Sequence, residues 1–228
     1  MQTKIIFIIL IMVSIINICF ILKQNTKKPE NKTNWSLYTK QYRNNDKVNQ
    51  LILVKYLENS NAEVLLYTKD KTQNNAWTLV IKTDAFVGRD GITSNKHESD
   101  YKTPIGDFEV LNAFGIKHNP NTALPYIDIT DTIFACDDNS QYYNQIIDTN
   151  KTHYVCSGEH MIDYSPEYNY GFAINYNPKN EYPKGSAIFF HTKGAKNYTG
   201  GCIAVNEDQI IKILQTIEKG ARIIINFK

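Results

Sequence analysis

The chain has 228 residues, with 25 basic and 23 acidic side chains and a formal net charge of +2. At roughly 100 to 200 residues per domain, that length accommodates one folded body with a buried core. The charges are spread without a block able to hold a polyanion, which excludes nucleic acid as an expected partner.

The first feature is Ile5 to Leu22, an apolar run broken only by Ser14, Asn17 and Cys19 and flanked by Lys4, Lys23, Lys27 and Lys28. It reads as an export segment over residues 1–22, an uncleaved signal anchor or a removed signal peptide, that would bring the chain to a membrane. Basic residues at both ends leave orientation undecided. Ile18 stands before Cys19 where a lipoprotein signal would carry a small residue, so lipidation is not expected. Residues 23–48 are polar, rich in Asn, Lys, Thr and Gln, and read as a structureless tether ahead of a body spanning 49–228.

From Gln50 the pattern turns to short β-rich runs at Leu51–Tyr56, Glu63–Tyr67 and Trp77–Thr83, whose spacing suggests antiparallel strands. Further runs lie at Gly106–Leu111, Tyr170–Tyr176 and Ser186–His191. The last is continuously apolar through Ala187, Ile188, Phe189 and Phe190, as a strand buried on both faces would be, and it would hold His191 rigidly. One helix is well marked. Asn206 caps it, Glu207 and Asp208 sit in its first turn, and Ile210, Ile213, Leu214 and Ile217 recur at helical spacing until Gly220. Ala221–Phe227 reads as a final strand. The body is therefore expected to be mainly β, a sandwich or partly closed barrel with one helix near its C-terminus.

The stretch from Gly185 to Asn206 carries the chemistry. His191 ends the buried strand, and Cys202 follows in a turn opened by Gly200 and Gly201. A cysteine attacks as the thiolate, so it needs a nearby base or cation to lower its pKa, and a histidine on rigid backbone supplies one. Glycines before the nucleophile let substrate approach the backbone, whose N–H groups at Gly201 and Cys202 are candidates for an oxyanion hole. Tyr198, Thr199 and Gly200 are placed to line the entry and contact substrate. A buried structural cysteine packed near a core histidine is the alternative, but two consecutive glycines would weaken a purely structural strand.

The segment Thr199-Gly200-Gly201-Cys202-Ile203-Ala204-Val205-Asn206 resembles the Ser/Thr-x-Gly-Cys segment of L,D-transpeptidases with the YkuD-type catalytic domain, and His191 stands where that family keeps its histidine. Tyr101-Lys102-Thr103-Pro104-Ile105-Gly106-Asp107-Phe108 is similar to the family's Thr-Pro-x-Gly-x-Phe signature, with Val87-Gly88-Arg89-Asp90-Gly91 before it like its usual glycine turn. The resemblance covers about residues 76–227. Three positions depart from it: Thr192 replaces a glycine after the histidine, Ala204 replaces an arginine two places after the cysteine, and Gly200 replaces a His or Lys.

The resemblance implies a YkuD-like fold and a cysteine acyltransferase acting outside the cytoplasm, in the cell envelope. Cys202 would attack the carbonyl of the third residue of a peptidoglycan stem peptide and expel the terminal D-amino acid. The thioester then passes to an amine of a neighbouring stem as a 3-3 crosslink. Water as acceptor would make the protein an L,D-carboxypeptidase, and loss of the chemistry would leave a non-catalytic wall-binding protein. A papain- or caspase-like protease is disfavoured by the sequence around the cysteine.

No cofactor is implied. No metal site is expected either, because Gly158-Glu159-His160-Met161 lacks His-Glu-x-x-His spacing and a third ligand. Glu159 or His160 belongs either near the active cleft or in a surface loop. His97, His118 and His153 are expected to be solvated. Tyr164, Tyr168, Tyr170, Phe172 and Tyr176 are read as core or cross-strand residues before groove floor, and Thr103-Pro104-Ile105-Gly106 as a structural turn. If Cys202 is free, Cys136 and Cys156 are left to each other, and a bridge would stabilise by roughly 3 kcal/mol. Two unpaired thiols are the alternative.

Overall fold

The computed structural model describes residues 35–225. The expected export segment at 5–22 and the first part of the expected tether lie outside the described residues. Among the described residues no helix is long and apolar enough to cross a membrane.

Strands β1 (Gln50–Glu58), β2 (Asn61–Asp70) and β3 (Ala76–Phe86) form an antiparallel meander. Two short parallel strands follow, β4 (Ile92–Thr93) and β5 (Thr103–Pro104). Strand β6 (Gly106–Gly115) is next, with β7 (Tyr126–Asp128) beside it. A side sheet is made by β8 (Ile133–Ala135), β9 (Ile146–Asp148) and β10 (Glu159–His160). The main sheet resumes with β11 (Gly171–Ile174), β12 (Phe189–Thr192), β13 (Ile203–Val205) and β14 (Arg222–Ile225). Its order is β11-β12-β13-β3-β2-β1-β14-β6, and β6 pairs back to β11, so the sheet closes on itself with β7 outside the ring. The expectation of a mainly β body is met, and the barrel is fully closed. Three pairs of this main sheet are parallel: β1 with β14, β6 with β7, and β12 with β13.

Side-chain alternation divides the ring into two faces. Ile52, Val54, Val64, Leu66, Phe172, Phe190, Ile203 and Val205 share one core cluster, into which helix α3 (Glu207–Thr216) sends Ile210, Ile213 and Leu214. That helix stops at Thr216, short of Gly220, and Asn206 at its start makes no side-chain capping bond. The intervening residues Leu51 and Leu53 belong to a different cluster, with Tyr42, Val48 and Ile224.

This second cluster corrects the tether reading for residues 35–48. Helix α1 (Trp35–Arg43) sits there, Tyr42 and Val48 are buried, and the Trp77 indole N–H donates to the Thr39 carbonyl at 3.2 Å. Polar composition concealed a cover for the outer face of β1. A four-residue helix, α2 (Thr149–Thr152), completes the α-helices among the described residues, and two 3-10 turns follow at Met161–Asp163 and Glu167–Asn169.

Cys136 and Cys156 are bonded to each other, and Cys202 is free. The bridge ties the segment after β8 to the one before β10. Close approach between these segments is enforced at Gly158, where a Cβ would lie 2.1 Å from the Ala135 carbonyl oxygen.

Candidate active site

The site lies on the outer face of β12 and β13. In their parallel register Phe190 faces Ile203 and His191 faces Ala204. With Phe190 and Ile203 in the core cluster, the neighbouring Phe189 and Cys202 belong together to a cluster on the other face. His191 and Cys202 line one cavity of about 450 Å³, which Tyr198, Thr199 and Gly200 also line. The residues expected at the site are thus gathered around one space. Among the described residues no hydrogen bond joins Cys202 to His191; each is held by backbone.

His191 is buried, and its Nδ1 lies 2.7 Å from the Thr192 carbonyl. A carbonyl only accepts, so Nδ1 carries the proton and Nε2 keeps its lone pair as a base. The acceptor that orients the ring, not identifiable from sequence, is therefore the backbone of the next residue. Burial pushes the imidazole pKa below its ordinary value, opposed by that hydrogen bond and by Glu167, so the ring is neutral at rest.

The Cys202 thiol donates to the Ala187 carbonyl at 3.2 Å, and the Phe189 N–H donates to Sγ at 3.3 Å. Burial pushes the thiol up to about 12, and the charge of Glu159 adds to this, while the Phe189 N–H and Lys96 oppose it. The sequence-based expectation was a thiol acidified by its histidine. In the structure low polarity around the sulfur outweighs the stabilising dipoles, and a neutral thiol shares the cavity with a neutral imidazole.

The turn carrying Cys202 is stitched to the rest of the fold. Thr199 N–H donates to the Val87 carbonyl at 3.0 Å, and Arg89 N–H returns a bond to the Thr199 carbonyl at 3.0 Å. Gly88, between these two bonds, also lets the Tyr101–Lys102 backbone pass close by, since a Cβ there would stand 2.4 Å from the Tyr101 carbonyl oxygen. Gly201 has φ +153°, a region costly for any side chain. At Gly200, by contrast, a Cβ would meet nothing within 4 Å.

The Gly201 N–H, expected to face an oxyanion, donates to Thr199 Oγ1 at 3.1 Å. The Cys202 N–H makes no hydrogen bond among the described residues. The Cys202 carbonyl accepts from two hydroxyls, Thr199 Oγ1 at 2.7 Å and Thr103 Oγ1 at 3.2 Å. Thr103 is completely buried and its hydroxyl also accepts the Gly88 N–H at 2.8 Å. The sequence pattern predicts a structural turn in this segment; Thr103 and Pro104 instead form β5, Gly106 opens β6, and the Thr103 hydroxyl holds the Cys202 backbone.

Several lining residues were not foreseen. Lys96 is buried and paired with Asp100 at 2.6 Å, and Glu98 and Asp137 enter from loops. Of the adjacent pair Glu159 and His160, Glu159 lines the cavity. His160 instead stacks on Phe134 and engages Asp163 and the Asp131 carbonyl. Tyr164 and Tyr168 also line the cavity, whereas Phe172 is in the core and Tyr170 and Tyr176 pack against it. His97, His118 and His153 are exposed. Among the described residues, the one group of ligand-type side chains close enough to hold a metal ion is Cys136, Asp138 and Cys156, whose thiols are consumed in the disulfide.

Residues 51–225 match the sequence model of the L,D-transpeptidase catalytic domain, YkuD. The chain belongs to this family. No curated protein matches it. Solved structures similar to it include a cysteine-to-serine mutant of the Enterococcus faecium L,D-transpeptidase, at 16% identity and TM-score 0.38, with 78% of this chain and 49% of that chain covered. Another is an L,D-transpeptidase from Mycobacterium smegmatis, at 12% identity and TM-score 0.36, covering 78% and 58% respectively. The chain thus spans about half the length of these proteins.

Proposed function

We propose that the protein is a peptidoglycan L,D-transpeptidase that forms 3-3 crosslinks through a thioester on Cys202. The observation that carries this reading is the shared cavity of Cys202 and His191, on one face of adjoining parallel strands. In the first half-reaction Sγ attacks the carbonyl carbon of the third stem residue as His191 Nε2 takes the thiol proton. The Cys202 N–H is free to meet the developing oxyanion. The imidazolium then protonates the departing D-amino acid nitrogen, leaving the acyl group on sulfur. In the second half-reaction an amine of a neighbouring stem takes the acyl group. Water in its place gives the carboxypeptidase outcome.

The starting pair is neutral, so charge separates only as substrate displaces the Ala187 contact and proton transfer accompanies attack. The bonded Cys136–Cys156 pair supports an oxidising, extracytoplasmic setting. Anchoring through residues 5–22 is part of the same proposal.

Incubation with a purified tetrapeptide muropeptide, followed by mass analysis of protein and products, tests it. A thioester adduct on Cys202 and a crosslinked dimer are expected, with neither from Cys202→Ala. A carbapenem should add its mass to Cys202 in the same way. No adduct with either reagent would leave a wall-binding protein without chemistry.

A further inference from the structure

The cavity has a carboxylate side that thiol acylation leaves unused. Glu98, Asp137, Glu159 and Glu167 line it, and among the described residues none of the four is in an ion pair. Lys96, the buried cation of the same cavity, is committed to Asp100. Glu98 is occupied by hydroxyls, accepting from Ser186 Oγ at 2.7 Å and from the Tyr143 hydroxyl.

Glu159 is placed differently. Its Oε2 accepts the Tyr168 hydroxyl, and the Tyr168 ring stands edge-on to the His191 imidazole at 5.6 Å between centroids. One side chain thereby fixes the carboxyl relative to the base that serves acylation. Glu159 Oε1 accepts no hydrogen bond among the described residues, and it is not among the buried unsatisfied atoms, so it is open to a ligand.

We propose that Glu159 is the proton acceptor for the incoming amine when that amine attacks the thioester on Cys202. This rests on the transferase reading above and names its acceptor as a cationic amine. An ammonium entering the cavity passes one proton to Glu159 and becomes nucleophilic. Its nitrogen bonds to the thioester carbonyl carbon, the C–S bond breaks, and the second nitrogen proton travels through His191 to the leaving sulfur. The products are an amide, a neutral thiol and a protonated Glu159 that returns its proton to solvent.

The electrostatic surroundings suit both half-reactions. Burial pushes the Glu159 carboxyl up to about 7, the charges of Asp137 and Glu98 add to this, and the Tyr168 hydroxyl opposes it. Groups facing it are Tyr168 and Tyr164 from the turns after β10, Asp137 after β8, Glu98 and Lys96 from the 96–99 loop, and Cys202. A neutral Glu159 spares the forming thiolate a neighbouring negative charge. An ionised Glu159 receives the ammonium. A group titrating near the working pH meets both demands.

The test separates the half-reactions in the full chain. Cys202 is acylated by a tetrapeptide muropeptide, then chased with a second muropeptide stem from about pH 5.5 to about pH 8.5, across the range where such a base titrates. Glu159→Gln is expected to slow amine capture by roughly 10²-fold, the lower end for a lost general base, and to erase its pH limb near neutrality. Carbapenem acylation of the same variant should not slow, and should quicken on the alkaline side where Glu159 no longer opposes the thiolate. Asp137→Asn, at an exposed position where folding is not in question, should move the amine-capture limb to lower pH. Equal slowing of acylation and capture by Glu159→Gln, capture at the wild-type rate, or an unmoved limb in Asp137→Asn would overturn the proposal. A wild-type chain that takes no acyl group would overturn the transferase reading and this one with it, which distinguishes the two failures.

Discussion

The Thr103 hydroxyl donates to the Cys202 carbonyl at 3.2 Å across 99 positions of sequence while accepting the buried Gly88 N–H at 2.8 Å. One oxygen thus links the glycine turn, the Thr-Pro segment and the Cys202 backbone. Thr103→Val keeps the shape and removes both bonds, leaving the Gly88 N–H without a partner at an expected cost of about 1–3 kcal/mol. Acylation should fall by about tenfold or more, because the sulfur's backbone is held by the Thr199 hydroxyl alone. Thr103→Ser should restore both. Carbapenem acylation rates alongside urea denaturation check this, and a valine variant acylating at the wild-type rate would reduce Thr103 to a core residue.

Glu159 also imprints a pH dependence on stability. Its folded pKa of about 7 lies above the ordinary 4.5, so between those values the folded chain binds the proton more tightly than the unfolded one. The contribution is present below that window and is lost as pH rises through it. Glu159→Gln does not titrate and keeps the Tyr168 contact. Its stability relative to wild type should therefore grow by about 1–2 kcal/mol from about pH 5 to about pH 8, allowing for partial solvent screening of the carboxyl. His191 contributes an opposite slope, lost as pH falls below its ordinary value, but equally in both proteins. Parallel stability curves would sink the linkage.

The Cys136–Cys156 bond closes a loop with a sequence separation of 20 and holds the strand bearing Glu159 against β8. Replacing both cysteines by serine should cost about 3 kcal/mol in the chain-entropy account. Because Asp137 follows Cys136 directly, the substitution should also disturb amine capture more than carbapenem acylation. Denaturation midpoints and the two rates measure these effects. A loss well under about 1 kcal/mol would assign the bridge no stabilising role.

The cavity shared by Cys202, His191, Tyr198, Thr199 and Gly200 was legible because these residues occupy one contiguous segment whose buried strand and glycine turn are both local signals. The same holds for the meander, although β2 and β3 run three residues beyond the apolar cores that announce them, to Asp70 and Phe86. Lys96, Glu98, Asp137, Glu159 and Tyr168 were not legible as a set, since loops, a two-residue strand and a 3-10 turn scattered along the chain bring them together and no periodicity marks them. The thiol's elevated pKa was equally hidden, because burial is a property of the closed fold. Helix α1 did leave a trace. Leu51, Ile52, Leu53 and Val54 form a continuous apolar run, so β1 had to be buried on both faces, and something outside the barrel had to cover Leu51 and Leu53.

That cover is tested at Tyr42, whose hydroxyl donates to Asp107 Oδ2 at 2.6 Å while Arg222 Nε donates to Asp107 Oδ1 at 2.9 Å. Burial, then the neighbouring Asp107, push the phenol up to about 12, so it remains a donor throughout the neutral range. Tyr42→Phe should cost about 1–1.5 kcal/mol for the lost hydrogen bond. Tyr42→Ala should cost about 3–5 kcal/mol, because the ring also packs with Leu51, Leu53 and Ile224. Removing residues 1–48 uncovers the same leucines and should destabilise at least as much, with gain of a hydrophobic dye signal at β1. If the chain beginning at residue 49 matched the full protein in stability and bound no dye, α1 would be a passive spacer after all, and the burial of Leu51 and Leu53 would have to come from another segment.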